Sequence, residues 1–172
     1  ISVSADDALQ SGDSTSFSKD SRIRASIAGN VLKFSMKSRD QRLTLPGSGE
    51  YGDRIVKLSP PGEYDALVHN EFYVMALAKA CGIEVPDFDV VHRENVEIAP
   101  SDWATAEEHA FSIARFDRSD QGRVHMEDFC QAGNLPGFQR SKYQSSVEYV
   151  MKVAYRNYDL PSLVECVRRT VF

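Results

Sequence analysis

Lys57 stands inside the short apolar stretch Arg54-Ile55-Val56-Lys57-Leu58, which reads as a strand. An ammonium in such a strand is costly to bury without a partner. After the break at Pro60-Pro61-Gly62, a helix beginning near Leu67 carries Glu71. Helical spacing sets Glu71 on the face of Leu67, Met75 and Ala78, toward the core, and a carboxylate there needs a cation. Lys57 and Glu71 are therefore expected to pair, giving an oriented ammonium that can meet a phosphate group. The competing reading keeps Lys57 on the solvent face of an edge strand, with Ile55 turned inward.

Three other stretches have chemical potential. Ala28-Gly29-Asn30 is a tight turn whose backbone N–H groups could face a phosphate, or an ordinary hairpin. Arg115-Phe116-Asp117-Arg118 is either a surface charge cluster with one buried phenylalanine or a hinge whose backbone meets a base. His125 precedes Glu127 and Asp128 at a helix start, where acidic residues serve the helix dipole more often than catalysis. The three cysteines (Cys81, Cys130, Cys166) are odd in number and far apart, in apolar helical contexts. Buried reduced thiols are expected rather than disulfides, and no Cys/His spacing supports a metal site. Trp103 and the tyrosines form no stacking array for single-stranded nucleic acid.

The elements that position these residues run from strands to helices. Residues 1 to about 21 are rich in Ser and Asp and read as a flexible arm. From residue 22 the pattern gives a strand from Ser26, the turn, and a second strand through Met36. Leu43-Thr44-Leu45 and Ile55 to Leu58 continue it, so an antiparallel meander is expected. The helix over Ala66 to Cys81 has Leu67, Val74, Met75, Leu77, Ala78 and Cys81 at helical spacing and a stop at Gly82. Strands at Phe88 to Val91 and Phe111 to Phe116 follow, with a loop between and a turn over 117–123. Helices are expected at Met126 to Ala132, at Ser145 to Asn157, and at Leu160 to Phe172 with Leu163, Val164, Val167 and Val171 inward. The fold class is α+β. The chain has 172 residues, 42% apolar, and a net charge of −5, which argues against broad nucleic-acid binding. No apolar run approaches the roughly 18 to 20 residues of a membrane span, and a cytoplasmic location is expected.

Taken together, Ser26-Ile27-Ala28-Gly29, Leu32-Lys33-Phe34-Ser35, Ile55-Val56-Lys57-Leu58, Asn70-Glu71-Phe72, Gly82-Ile83-Glu84-Val85-Pro86, Ala114-Arg115-Phe116-Asp117-Arg118 and Val124-His125-Met126-Glu127-Asp128-Phe129-Cys130-Gln131 resemble the HipA family. Lys142-Tyr143 follows in the family's order. Members are serine/threonine kinases of bacterial toxin–antitoxin modules. The resemblance implies a kinase-like small lobe and hinge over 22–118, with the start of a helical lobe over 119–172. It implies ATP and Mg2+ as cofactors, a protein hydroxyl as acceptor (glutamyl-tRNA synthetase for the best-known member), and a HipB-like antitoxin through which DNA is reached. Ser26, Ile27, Ala28 and Gly29 fall on the nucleotide loop, and Ser26 on its autophosphorylated serine. Lys57 falls on the ATP-phosphate lysine, and Ala114 and Phe116 on the adenine-binding hinge.

The chain departs from the family's pattern at Val31 and Met126, where glutamine is usual. No Asn-x-Asp-x-His-x-Lys-Asn segment occurs, so no residue of this chain falls on the catalytic base or the metal ligands, and the family's N-terminal subdomain has no counterpart. The expectation is a kinase fragment without turnover of its own. The alternatives are a non-catalytic binding module and half of a split kinase completed by a partner chain.

Overall fold

The computed structural model describes residues 32–59, 66–98, 107–135, 146–157 and 159–172. Strands β1 (Lys33–Arg39), β2 (Arg42–Thr44), β3 (Arg54–Lys57), β4 (Phe88–His92) and β5 (His109–Ala114) form one sheet. Its order is β2-β1-β3-β5-β4, with every neighbouring pair antiparallel. Helix α1 (Leu67–Ala80) joins β3 to β4 in the chain and packs on β4 and β5. A small hairpin of β6 (Arg118–Ser119) and β7 (Gly122–Arg123) leads to α2 (Phe129–Ala132), α3 (Val147–Asn157) and α4 (Leu160–Val171).

The α+β class is as expected, but the sheet is not a meander. Asp40 and Gln41 both have positive φ, 47° and 66°. That two-residue turn matches the right-handed strand twist and folds β2 back along the Lys37–Arg39 end of β1. The other flank of β1 takes β3, and β5 then inserts between β3 and β4. Of the expected Ser26-to-Met36 hairpin, the first strand and turn lie outside the described residues, and the second strand is β1.

The sheet curls until its far edges nearly meet. Leu43 of β2 bridges Val96, just beyond β4, and the Glu97 N–H donates to the Leu43 carbonyl at 2.7 Å. Strand alternation sends Phe34, Met36, Val56 and Ala110 into the enclosed side, where they are buried with Leu43, Leu58 and Val96. The residues between them, Ser35, Ile55, Lys57, Phe111 and Ile113, face the other way, and α1 covers the β4 and β5 part of that face.

α1 ends as its Gly82 predicts. Gly82 has a φ of 75°, and the Gly82 and Ile83 N–H groups donate back to the carbonyls of Lys79 and Ala78. At its start no side chain caps the helix, and Ala66 is held at a φ of 65°. Val68 and Ala78 are buried, whereas Val74 and Leu77, which share the helical spacing, are exposed. Apolar residues surround this helix, so spacing alone could not choose its buried face.

Among the helices that follow, α3 buries Val153 and Ala154. α4 is capped by Asp159, whose carboxylate accepts the Ser162 N–H at 2.8 Å. Val164, Val167 and Val171 were expected inward and instead lie exposed, since among the described residues α3 covers one side of α4 only. The short α2 begins at Phe129 rather than Met126, because Asp128 and Gln131 form a reciprocal capping box there. The buried-thiol expectation also fails. Cys81 sits exposed at the end of α1, and Cys130 and Cys166 are half-buried. No described helix is long and apolar enough to cross a membrane.

Gly52 marks the tightest approach in the sheet region. A Cβ there would press on Ser35 Oγ and come within 2.9 Å of the Met36 backbone N and O. Gly52→Ala should cost about 1–3 kcal/mol in urea unfolding, through overpacking against main chain that cannot give way. An unchanged midpoint would show that this loop is not locked onto β1.

Candidate functional site

Lys57 lies on β3, an interior strand bonded to β1 and β5, which removes the edge-strand reading. Val56 is fully buried in the enclosed core, so alternation turns Lys57 to the α1 face. There its Nζ donates to Glu71 Oε2 at 2.5 Å, with the side chains 26% and 24% exposed. Nζ also stands 5.4 Å from the centroid of the Phe111 ring. Glu71 is held in place because Phe72, beside it on α1, packs edge-on against Phe88 of β4 at 5.4 Å between centroids.

The register brings in a residue that the sequence reading passed over. Lys33 is the cross-strand partner of Lys57, so two ammonium-bearing side chains share one patch of the sheet face. Alternation over Lys33-Phe34-Ser35-Met36 hinted at the face but not at the partner. Only pairing fixes that.

Beside the other end of β3, at the close of its neighbour β5, lies the expected hinge. Ala114 closes β5 opposite Arg54, its N–H donating to the Asp87 carbonyl at 2.7 Å, and the Arg115 N–H donates to the Asp53 carbonyl at 2.8 Å. Asp117 is 7% exposed and takes both neighbouring arginines. Arg115 reaches it in a fork at 2.9 and 2.7 Å, and Arg118 Nη1 reaches Oδ2 at 2.6 Å. The same guanidinium groups donate outward, Arg115 to Ser35 Oγ at 3.1 Å and Arg118 to the Gly52 carbonyl at 3.2 Å. The hydrogen bond from Arg115, with the two adjacent positive charges, holds the Asp117 carboxyl down at a pKa of about 2. The expected surface cluster around a buried phenylalanine is thus inverted. Asp117 is inside, and Phe116 is 69% exposed.

Ala114 stands opposite Arg54, three residues along β3 from Lys57, so the hinge lies about 10 Å from Lys57 along the strands. A nucleoside triphosphate laid along this face would meet the ammonium with its phosphates and residues 114–116 with its base. Ser26, Ile27, Ala28 and Gly29 lie outside the described residues. His125 and Glu127 form an exposed contact at 3.2 Å, and Asp128 serves as a helix cap. That arrangement follows the structural reading of the segment.

A family profile described as HipA-like C-terminal domain matches residues 25–172. "Putative kinase Y4dM" of Sinorhizobium fredii is 34% identical over 154 residues, covering 87% of this chain and 37% of that protein. "Putative kinase Y4mE" of the same organism is 33% identical over 129 residues, covering 72% of this chain and 27% of that protein. The chain therefore spans roughly a third of the length of these relatives. Among solved structures, HipA of the Shewanella oneidensis MR-1 toxin–antitoxin system, determined with HipB and its operator DNA, superposes with a TM-score of 0.63. It is 22% identical, and the match covers 88% of this chain and 37% of that one, a likeness of fold.

Proposed function

Since this chain belongs to the HipA-like C-terminal domain family, we propose that it is the ATP-positioning part of a kinase that phosphorylates a serine or threonine of another protein. The observation that carries this reading is the Lys57–Glu71 ion pair on the strand face that ends at the Asp117-held hinge. Lys57 would hold the phosphates, with Lys33 beside it adding positive charge, and Glu71 would keep the ammonium extended. Ala114 and Phe116 would meet adenine through their backbone, within residues 22–118 as the small lobe and hinge. The residues present suit the nucleotide: a half-buried ammonium, a second lysine and an extended backbone edge.

Mg2+ bound with ATP would neutralise charge on the transferred phosphoryl group. The Asn-x-Asp-x-His-x-Lys-Asn segment that carries its ligands and the catalytic base in the family does not occur in this sequence. Both are therefore assigned to residues other than those named above. Ser26, in the loop expected to cover the phosphates, would be the regulatory phosphorylation site. The solved relative's complex with HipB and operator DNA supports an antitoxin of that kind as partner, and DNA would be reached through that antitoxin. The acceptor is a protein hydroxyl, with glutamyl-tRNA synthetase the first candidate.

The test is equilibrium binding of a fluorescent ATP analogue to the chain in the presence of Mg2+. Saturable binding displaced by ATP and ADP is expected, together with no phosphoryl transfer by the chain alone. Absence of saturable binding would remove the nucleotide reading, and turnover above background would remove the division of labour.

A further inference from the structure

Away from the nucleotide face, the two outer edges of the curled sheet enclose an open groove of about 770 Å3. Six consecutive residues from Asp87 to His92 form one wall, Ser38, Gln41 and Leu43 line the opposite side, and Arg54 and Ser112 also reach it. Arg54 belongs to the enclosed side of β3, because it alternates with Ile55 and stands opposite Met36.

The setting of Arg54 is unusual for a half-buried charge. Its Nε donates to Ser112 Oγ at 2.6 Å, and Nη2 reaches the Ser112 carbonyl at 3.3 Å and the Asp87 carbonyl at 3.4 Å. All three acceptors are neutral. Among the described residues no carboxylate lies within ion-pair distance of it, whereas the half-buried Arg115 and Arg118 share Asp117. A guanidinium drawn out of water without a counter-ion is a charge awaiting one, and its planar fork matches a carboxylate. The side-chain amides of Gln41 and Asn95 also line the groove and can donate to a bound oxygen.

We propose that the groove between β2 and β4 is a carboxylate-binding site anchored by Arg54. The ligand is a single carboxylate group, supplied by a small organic acid or by an acidic side chain of an extended peptide. Asp87 and Asp89 stand in the same wall, and Asp89 Oδ1 is already engaged by the Val90 N–H at 2.8 Å. Their negative charges disfavour a dianionic phosphate more than a monoanionic carboxylate. The site lies on the opposite face of the sheet from Lys57 and does not depend on the nucleotide reading.

The experiment is an NMR titration of the chain with acetate, with phosphate, and with a capped tripeptide carrying one central glutamate, at constant ionic strength. Saturable shifts at the Arg54 side chain and at the Ser112 and Val90 amides are expected for the carboxylates, with phosphate weaker. Tighter binding of the glutamate peptide than of acetate, lost in its glutamine counterpart, would identify a polypeptide as the source; equal affinities would identify a free acid. Arg54→Gln should weaken binding about tenfold or more, and Arg54→Lys, which keeps the charge without the fork, by several-fold. Shifts that never saturate, that favour phosphate, or that persist in a folded Arg54→Gln chain would overturn the site.

Discussion

Lys57→Met should lower the affinity for ATP at least about tenfold, equivalent to about 1.4 kcal/mol, while the chain stays folded. Methionine preserves the packing of the aliphatic stem on Phe111 and removes only the charge. Glu71→Gln should weaken ATP binding by less, because the ammonium would persist but lose the partner that holds it at 2.5 Å. The two substitutions combined should cost less than the sum of the singles, since each ends the same interaction. Both partners are about a quarter exposed, so the ion pair itself contributes modestly to stability, on the order of 1 kcal/mol. Its larger effect is on position. Equal ATP affinity in wild type and Lys57→Met would take Lys57 out of the site whatever happens to stability.

Asp117→Ala should be the most destabilising single change in the hinge, at about 3–5 kcal/mol in urea unfolding. It strands two half-buried guanidinium groups, 14% and 13% exposed, that are also the links to Ser35 and Gly52. Asp117→Asn keeps the shape and should cost less. The same clamp sets an acid dependence. The Asp117 carboxyl has a pKa of about 2 in the folded chain, against an ordinary aspartate value of 3.8. Its contribution, about 2 kcal/mol, is complete above pH 4 and is lost as pH falls through the folded value. Wild type and Asp117→Asn should therefore converge in stability between about pH 4 and pH 2. Parallel curves over that interval would mean that the clamp carries no linked proton.

The parts of the site that were legible in the sequence are those governed by local spacing. Strand alternation around Val56 and the position of Glu71 one turn into α1 suffice to bring Lys57 and Glu71 together, because each depends only on its own element. Lys33 stayed hidden because its proximity to Lys57 is a matter of strand register, and the meander failed because β5 arrives from beyond α1 to separate β3 from β4. The hinge was inverted for another reason. Four residues of mixed character carry no period, and the preference for a buried phenylalanine over a buried aspartate holds only until two arginines supply five donor contacts between carboxylate and neighbours. In α1 and α4 the helices themselves were correct, but valines and leucines on several faces gave no single direction to the core.

The ends of α1 are held unequally, and this bears on what fixes Glu71. Beyond the glycine stop, Arg168 donates to the Gly82 carbonyl at 2.9 Å and Arg169 to the Glu84 carbonyl at 3.0 Å, so α4 rivets the far end of the helix. The near end starts from a left-handed alanine without a side-chain cap, a conformation that costs about 1–2 kcal/mol outside glycine. The first turn is fastened by packing instead, with Val68 buried and His69 set edge-on against His109 and within 3.4 Å of Glu107. Glu71 therefore depends on the packing of that first turn more than on the glycine stop, which lies about three turns further along the helix.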